Sequence, residues 1–242
     1  MSADNLFLSV VIPIYNEEEN VTPLLAELVL ILEKLERNFE IICINDASTD
    51  NSQTLLEGLK TKYPQLKVIV HTVNCGESAA TATGFQQARG EYIVTMDGDL
   101  QNDPADIPTL LHIIEQRGLA AVCGIRRKRE DDIVKRISSR TANAVRNLIT
   151  GDDISDAGCT FRALRRTALY EIPVFNGMHR FLPTILRFQG YEVEEILVNH
   201  RPRTMGVSKY GVGNRMFRGL IDCIAMRWWQ KRVVPADRYI RQ

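Results

Sequence analysis

The sequence lacks both the cysteine spacing of a zinc site and the long apolar run of a membrane-spanning helix. Its five cysteines are scattered, with no Cys-x-x-Cys pair among Cys43, Cys75, Cys123, Cys159 and Cys223. An odd number of scattered cysteines, without the N-terminal pattern of a secretion signal, predicts reduced thiols in a cytosolic protein. No uncharged apolar run reaches the about 18 residues that a transmembrane helix needs, so none is expected.

Two nucleotide-binding motifs are also missing. The absence of a G-x-G-x-x-G loop disfavours a dinucleotide-binding protein, and the absence of a G-x-x-x-x-G-K-[ST] loop excludes a P-loop NTPase. What is present is the composition of a globular protein of 242 residues, 45% hydrophobic and 25% charged. This length predicts one large domain, or one domain with a C-terminal elaboration.

Charge is divided unevenly along the chain, although its net value is +0. Residues 1–120 carry 7 Lys and Arg against 18 Asp and Glu, a net charge of −11, whereas residues 121–242 carry 23 against 12, a net charge of +11. An acidic front half suits a cation site, and a basic rear half suits phosphates, anionic lipid or nucleic acid.

Apolar runs alternate with segments that have apolar residues at helical spacing. We predict strands at 6–14, 39–45, 66–71, 92–95, 119–125 and 192–198, and a short strand after the polar loop 151–162. Helices are predicted at 20–35, in two segments ending near residues 62 and 89, and at 104–116, 133–149, 181–188 and 211–232. This alternation predicts an α/β fold with a mostly parallel, Rossmann-like sheet flanked by helices.

The stretch Asp97-Gly98-Asp99 comes directly after a predicted strand. Two carboxylates one residue apart are hard oxygen ligands of the kind that Mg²⁺ or Mn²⁺ accepts. In open α/β sheets, ligands bind at the carboxyl ends of the strands, where this stretch is expected to lie. The alternative is an ordinary acidic turn, because Asp and Gly are common turn residues.

Five short motifs, in order between residues 6 and 210, carry a resemblance to a known family. They are Pro13-x-Tyr15-Asn16-Glu17, Asn45-Asp46-Ala47-Ser48-x-Asp50, Asp97-x-Asp99-x-Gln101, the stretch Asp156 to Arg162, and Arg203-x-x-Gly206-x-Ser208-Lys209-Tyr210. With them the chain resembles the family 2 inverting glycosyltransferases of GT-A fold, and among these the polyprenyl-phosphate glycosyltransferases related to dolichyl-phosphate mannose synthase. It departs from the pattern at Asn45, where many members carry Asp, and in ending soon after Arg232 without the transmembrane helices that some members append.

The resemblance implies an inverting transfer of a hexose from a nucleoside diphosphate sugar, GDP-mannose or a UDP-hexose, to a polyprenyl phosphate. Its implied cofactor is Mg²⁺ or Mn²⁺, held by Asp97, Asp99 and Gln101, and the implied catalytic residues are Asp97, Asp99 and Arg126. The implied contacts to the nucleotide sugar are Pro13, Tyr15, Glu17, Asn45, Asp46, Asp97, Arg203, Ser208 and Lys209. For Glu17 the alternative is a charge that the dipole of the following helix favours.

The acceptor decides whether a general base is needed. A polyprenyl monophosphate is already anionic near neutral pH and needs cations instead; the resemblance implies Arg126, Lys135, Arg136, Ser139 and Arg140. Basic residues on a helix otherwise form a solvated face. A saccharide acceptor needs a base, for which the candidates are Asp152, Asp153 and Asp156. We favour a structural role for the first two, and leave Asp156 open as a base or an ion-pair partner of Arg162.

Residues 1–210 are expected to form the catalytic domain, and residues 211–242 an amphipathic helix and tail. The apolar side of that helix is predicted to contain Met216, Phe217, Leu220, Ile221, Ile224 and Trp228. Trp228 and Trp229, with cations beside them, suit a membrane interface, and packing on the protein's own core is the alternative. We expect a peripheral protein on the cytosolic membrane face, with a membrane-protein partner or a homo-oligomer as further options, and no nucleic-acid partner.

Two rival functions remain open. One is a family 2 transferase that acts on a saccharide acceptor in surface polysaccharide synthesis, and the other is a non-catalytic subunit that binds nucleotide sugar. The complete Asp97-x-Asp99-x-Gln101 set argues against the second. A sugar nucleotidyltransferase is disfavoured because no glycine-rich phosphate loop follows Ile14.

Overall fold

The computed structural model describes residues 6–127, 133–203 and 213–234, and the side chains in these ranges except those of 133–140, 142 and 213–218. The described strands form a sheet ordered β3-β2-β1-β4-β6-β5-β7. They are β1 (Leu8–Ile14), β2 (Phe39–Asn45), β3 (Leu66–Val70), β4 (Tyr92–Thr95), β5 (Ala121–Arg126), β6 (Arg162–Arg165) and β7 (Val193–Val198). Only the pairings of β6 are antiparallel among these strands, which confirms the predicted mostly parallel sheet.

The antiparallel strand β6 brings a distant segment to the functional edge of the sheet. The sequence indicated a short strand here but not its direction. In the sheet β6 lies between β4 and β5, and its first residue, Arg162, is level with Thr95 at the carboxyl end of β4 and with Cys123 in the middle of β5. The segment 151–161 therefore arrives at the same edge as the loops that follow β4 and β5.

Helices cover both faces of the sheet. They are α1 (Glu18–Glu33), α2 (Ser52–Lys62), α3 (Glu77–Gln87), α4 (Ile107–Arg117), α5 (Ile133–Thr150), α6 (Met178–Phe188) and α7 (Gly213–Gln230). On one face, Val10 and Ile12 pack with residues of α1, α2 and α4. On the other face, Val11 packs with residues of α3 and α6. Because successive side chains of a strand point to opposite faces, a strand covered on both sides is apolar throughout, as the run 6–14 is.

Helix α7 has two apolar faces, of which one is packed and one is exposed. Cys223 and Met226 are buried against Met178, Phe181 and Ile185 of α6. The predicted apolar side is exposed, with relative exposures of 41% for Leu220, 54% for Ile221, 58% for Ile224 and 62% for Trp228. Met216 and Phe217 lie outside the described side chains. Within the described part of the chain, no helix is long and apolar enough to cross a membrane.

Candidate active site at the carboxyl edge of the sheet

The loop after β1 is held by side chains of the loop after β2. Three successive backbone amides at the start of α1 donate hydrogen bonds of 2.9–3.0 Å to this neighbouring loop: Asn16 to Ser48 Oγ, Glu17 to Ser52 Oγ, and Glu18 to Asp50 Oδ2. The first amides of a helix need such acceptors, and here they come from about 30 residues further along the chain. Parts of the first two motifs therefore build the site's frame.

The end of β2 is fixed by two hydrogen bonds of the Asn45 side chain. Asn45 is buried; its amide donates to Gln53 at 2.6 Å, and its oxygen accepts from the Ser48 amide at 2.9 Å. Pro13 near the end of β1, and Tyr15 and Glu17 just after it, lie partly buried beside it. These residues, predicted to contact the nucleotide, therefore lie at the adjacent carboxyl ends of β1 and β2 and in the turns that follow.

The Asp46 carboxylate is buried and accepts three hydrogen bonds. They come from His71 Nδ1 at 2.7 Å, the Cys75 amide at 2.9 Å and the Gly76 amide at 2.7 Å. One ligand atom each of Asp46, His71 and Cys75 lies within 4.8 Å of the others, a spacing that a metal ion can bridge. The hydrogen bonds already account for this cluster, so the geometry does not require an ion there.

Asp97 and Asp99 are the carboxylates of the candidate metal loop, the first half-buried and the second buried. Asp97 Oδ1 accepts from Thr160 Oγ1 at 2.7 Å, and the Asp97 amide donates to Asn102 Oδ1 at 2.8 Å. Burial and the neighbouring charge of Asp99 raise the pKa of Asp97 to about 6. A divalent cation relieves this repulsion between two desolvated carboxylates, so the residues present suit the predicted ion.

Gly98 is needed for close packing. A Cβ atom built on it lies 2.7 Å from Ile14 Cδ1 and 3.3 Å from the Pro13 carbonyl oxygen, so a side chain would push the metal loop away from β1. The residue with a left-handed backbone is instead Leu100, with φ of 63°. The turn between the two carboxylates and Gln101 is therefore made at Leu100. Residues other than glycine rarely adopt this left-handed backbone conformation.

The segment 199–203, here called the β7 strap, is pinned to the metal loop. Its backbone pairs with that loop through an Asn102–His200 bridge and a hydrogen bond of 2.8 Å from the Arg201 amide to the Gln101 carbonyl. The Arg201 guanidinium contacts Glu27 at 2.6 and 2.8 Å and Asp103 at 2.7 Å. The strap thus has a fixed position against the loop before its last residue is reached.

The strap places Arg203 and His200 beside the predicted metal ligands. Arg203 Nη2 donates to Asp99 Oδ2 at 2.5 Å. Gln101 Nε2 lies 3.4 Å from His200 Nε2 and donates to the Arg201 carbonyl at 3.2 Å. The predicted site residue Arg203 is therefore brought to the metal loop. His200 is a site residue that the sequence reasoning missed, because its only signal is a position just after a strand.

Arg126 is the last residue of β5, and its side chain is held by Asp156 at the same edge of the sheet. Arg126 Nε donates to Asp156 Oδ2 at 2.8 Å, and Nη2 donates to Oδ1 at 2.7 Å. The suggested partner Arg162 instead donates to the carbonyls of His179 at 2.5 Å and Ala157 at 3.4 Å. The ion pair suggested between Asp156 and Arg162 was therefore wrong, because β6 directs the guanidinium of Arg162 into the core.

Asp152 and Asp153 have the structural role that the sequence favoured. The Asp152 side chain is 2% exposed and accepts from Thr184 at 2.5 Å and Arg187 at 2.7 Å, with Arg146 at 3.5 Å. Asp153 is 86% exposed and pairs with Arg187. Hydrogen bonds from Thr184 and Arg187 lower the pKa of Asp152 against the opposing effect of burial.

Six predicted site residues lie outside the described parts. Residues Ser208 and Lys209 fall in the range 204–212, and the side chains of Lys135, Arg136, Ser139 and Arg140 fall in 133–140. For the last four, the backbone forms the first half of α5, directly after the segment that follows Arg126.

Solved structures share this fold. A glucosyl-3-phosphoglycerate synthase from Mycobacterium tuberculosis superposes with a TM-score of 0.67 at 17% identity, covering 96% of this chain and 82% of that one. A mannosyltransferase from Pyrobaculum calidifontis, solved with GDP-Man and Mn²⁺, gives 0.62 at 16% identity, covering 94% and 72%. The chain therefore has the GT-A fold of these structures, with paired carboxylates at the carboxyl edge of its sheet.

Sequence comparison places the chain more narrowly. Residues 9–173 match the family described as glycosyl transferase family 2, and the protein belongs to this family of enzymes. It is 35% identical over 233 residues to a dodecaprenyl-phosphate galacturonate synthase of Rhizobium johnstonii, covering 94% of this chain and 68% of that protein. It is 34% identical to an undecaprenyl-phosphate 4-deoxy-4-formamido-L-arabinose transferase of Shewanella sediminis, covering 86% and 63%. The chain thus spans about two thirds of the length of these relatives. The family match and the identities confirm the resemblance to polyprenyl-phosphate glycosyltransferases.

Proposed function

We propose that this protein transfers a sugar, expected to be a hexose or hexuronate, from a nucleoside diphosphate to a polyprenyl phosphate with inversion. The observation that carries the proposal is the placement of Arg126 at the same edge as Asp97 and Asp99, joined to Asp97 through the segment from Asp156 to Thr160. A cation site for the leaving diphosphate and a fixed guanidinium for an anionic acceptor are thereby side by side. The named activities of the relatives in Rhizobium and Shewanella support this assignment.

The donor side is assigned to the loops after β1, β2 and β4. Asp97, Asp99 and Gln101 would hold Mg²⁺ or Mn²⁺, as the Mn²⁺ in similar folds supports. Such a cation neutralises charge that develops on the leaving diphosphate. Tyr15 and Glu17 lie across from Asp46 and would line the nucleotide, and Arg203 would exchange Asp99 for a phosphate oxygen.

The state of the three candidate bases supports a phosphate acceptor over a saccharide. The Asp152 side chain is buried and pairs with Arg146 and Arg187. Asp153 is exposed and pairs with Arg187, and Asp156 pairs with Arg126. None of these three contacts leaves a carboxylate poised to take a proton from a sugar hydroxyl. An anionic phosphate oxygen attacks the anomeric carbon without such a base, provided that cations hold it in line.

The exposed face of α7 supports a peripheral position on an anionic membrane, on the cytosolic side where nucleotide sugars are found. The apolar side chains Leu220, Ile221, Ile224 and Trp228 are flanked by exposed Arg227, Lys231 and Arg232, and the Arg232 guanidinium lies 5.9 Å from the Trp228 ring centre. Aromatic and apolar groups with cations beside them suit the headgroup region. Residues 211–242 are thus proposed as the contact with the membrane, and residues 1–210 as the catalytic domain.

Membrane binding is tested with vesicles. Trp228→Ser should reduce co-sedimentation with phosphatidylglycerol vesicles by about fivefold, because one interfacial aromatic is lost. Trp229→Ser is the contrasting variant: Trp229 packs 6.3 Å from the Phe188 ring, so its loss should lower stability rather than vesicle binding. Equal binding by wild type and Trp228→Ser would contradict the proposed surface.

The reaction is tested with purified protein, Mn²⁺, a panel of GDP- and UDP-sugars that includes UDP-galacturonate, and a short polyprenyl phosphate in detergent. Mass spectrometry should detect one lipid-linked sugar, which identifies the donor and disappears with Asp99→Ala. Product on a saccharide alone, or nucleotide release without lipid product, would overturn the proposed acceptor.

A further inference from the structure

We propose that Asp156 is a positioning residue, and that residues 155–160 form a preformed socket that aims Arg126 at the acceptor phosphate. The inference rests on the proposed function and adds to it: it assigns Asp156 to holding the cation that binds the acceptor, where the sequence left it open between base and ion-pair partner.

The contact between the two side chains fixes the guanidinium in position and orientation. Two parallel hydrogen bonds of 2.8 and 2.7 Å join Arg126 Nε and Nη2 to the two oxygens of Asp156, and the Arg126 amide donates to Oδ2 at 3.3 Å. Both side chains are 13% exposed. A bidentate pair of this kind sets the plane of the guanidinium as well as its place, and it uses only part of the donor set. The remaining N–H groups are available to a phosphate.

The segment that carries Asp156 is itself anchored. The amides of Ser155 and Asp156 donate to the Glu195 carboxylate of β7 at 2.9–3.3 Å, and the Cys159 amide donates to the Asp156 carbonyl at 3.0 Å. Thr160, one residue further, donates to Asp97. The socket thus connects the arginine to the metal loop through one short stretch of chain.

Gly158 provides the space that the guanidinium occupies. A Cβ atom built at this position lies 2.9 Å from Arg126 Nη2 and 3.7 Å from Asp156 Oδ1. A methyl group there would have to displace the guanidinium or the loop. Glycine at this position follows from the need to seat the arginine flat against the backbone.

The electrostatics keep Arg126 charged in this half-enclosed place. Burial lowers the pKa of the Arg126 guanidinium, but the hydrogen bond and the charge of Asp156 outweigh it, so the net shift of the pKa is upward. Removing the Asp156 charge leaves a desolvated cation without its partner and with more than one orientation open to it. The expected defect is therefore in acceptor binding, with little change at the donor.

The test compares Asp156→Asn with Asp153→Asn. Both changes remove a carboxylate charge from the same loop, but Asp153 is 86% exposed and does not contact the socket. With short polyprenyl phosphate as the varied substrate, Asp156→Asn should raise KM about tenfold or more and leave nucleotide binding and the shape of the pH–rate profile unchanged. Asp153→Asn should match wild type.

Two further variants keep the proposal open to refutation. Gly158→Ala should raise the acceptor KM in the same way while Asp156 is intact, and Asp156→Asn should add little to Arg126→Gln, because the two residues act as one unit. Loss of kcat at unchanged acceptor KM, with loss of the limb of the pH profile that reports a base, would show that Asp156 is a base and overturn the proposal.

A measurement without turnover separates this inference from the proposed function. Inorganic phosphate is titrated into the protein with Mn²⁺ and nucleoside diphosphate, and binding is followed by ³¹P NMR line broadening. Weaker binding in Asp156→Asn and Gly158→Ala than in Asp153→Asn supports the socket even if lipid product is absent. Equal phosphate binding by all three variants would overturn the proposed role of Asp156, whatever the acceptor is.

Discussion

The proposed donor side of the site, at the loops after β1, β2 and β4, and the proposed acceptor side, around Arg126, are held together in different ways. On the donor side, carboxylates such as Asp46 and Asp50 accept hydrogen bonds from backbone amides of nearby loops. On the acceptor side, arginines are held by carboxylates from distant segments, as Arg126 is by Asp156 and Arg187 by Asp152. The loops after β1 and β2 thus use backbone amides as partners, whereas Arg126, like Arg201 and Arg203 of the β7 strap, uses long-range ion pairs.

The difference has a consequence for how each side responds to mutation. Among single substitutions only proline removes a backbone N–H, so most donor-side defects should arise at the carboxylates and appear in binding of the cation and nucleotide. Ion pairs can be broken from either end, and breaking a buried one leaves an uncompensated charge. Acceptor-side defects should therefore include losses of stability as well as losses of acceptor binding.

The largest effect is expected for Asp99→Ala. Losing one of the two proposed carboxylate ligands should remove the cation and reduce turnover about a thousandfold or more, since the charge of the leaving group is no longer neutralised. Calorimetry with Mn²⁺ and a turnover assay measure the two losses. Glu194→Gln, which removes a carboxylate from a surface pair with Arg117, is the control and should behave like wild type. Normal Mn²⁺ binding by Asp99→Ala would remove Asp99 from the ligand set.

The next effect is on stability, for Asp152→Ala. Its carboxylate is 2% exposed and faces both Arg146 and Arg187, so its removal should lower the free energy of unfolding by about 3 kcal/mol. Urea unfolding followed by circular dichroism gives this value. Asp153→Ala, which changes only an exposed residue of the same loop, should cost about 0.5 kcal/mol or less. Equal costs would contradict the assigned difference between the two carboxylates.

A smaller effect is expected for Arg203→Gln, on cation binding without nucleotide. Arg203 contacts Asp99 at 2.5 Å, so arginine and cation compete for the same carboxylate. The variant should bind Mn²⁺ about tenfold more tightly than wild type when nucleotide is absent, within the usual range of coupling between neighbouring sites. Electron paramagnetic resonance of free Mn²⁺ measures this affinity. The control is Arg127→Gln, because Arg127 is an exposed arginine directly after β5. Unchanged affinity would mean that Arg203 acts on the nucleotide alone.

The pH dependence of cation binding is expected to come from Asp97. Its pKa is raised to about 6, so protons compete with Mn²⁺ below that pH, and affinity should fall by up to about tenfold per pH unit. In the absence of cation, the contribution of Asp97 to the free energy of unfolding changes in the opposite direction and falls as the pH rises. The folded chain binds this proton more tightly than the unfolded chain, so the contribution of Asp97 is full below its ordinary pKa of 3.8 and is lost as pH rises through about 6. Mn²⁺ affinity that is flat between pH 5 and 7 would contradict this assignment.

The sequence predicted the donor side better than the acceptor side, for a physical reason. Strands such as 39–45 and the Asp97-x-Asp99 loop are local patterns, because burial on both faces and a turn after a strand are visible in a few consecutive residues. The pairing of Arg126 with Asp156 spans 30 residues and depends on the direction of β6, which no local pattern encodes. The cross-loop caps of α1 were missed for the same reason.

Helix α7 shows a second limit. The spacing of Leu220, Ile221, Ile224 and Trp228 correctly predicts an apolar side of this helix. Cys223 and Met226 form a second apolar side, and the sequence pattern does not indicate which of the two sides is buried. Which side packs is decided by the shape of α6, a tertiary effect. The membrane interface and the packed helix, posed as alternatives from the sequence, are therefore compatible on one helix.

The reversed direction of β6 gives the enzyme a modular layout. Since this strand enters the sheet from the edge where the other strands end, the stretch before it is an insert whose two ends are fixed by α5 and β6. The metal loop belongs to a separate stretch of chain, after β4. Grafting residues 151–161 from a relative would exchange the partner that holds Arg126 without altering strand order or cation ligands. If the proposed roles hold, such a graft should change how Arg126 is held and hence acceptor binding, while Asp97, Asp99 and Gln101 stay in place.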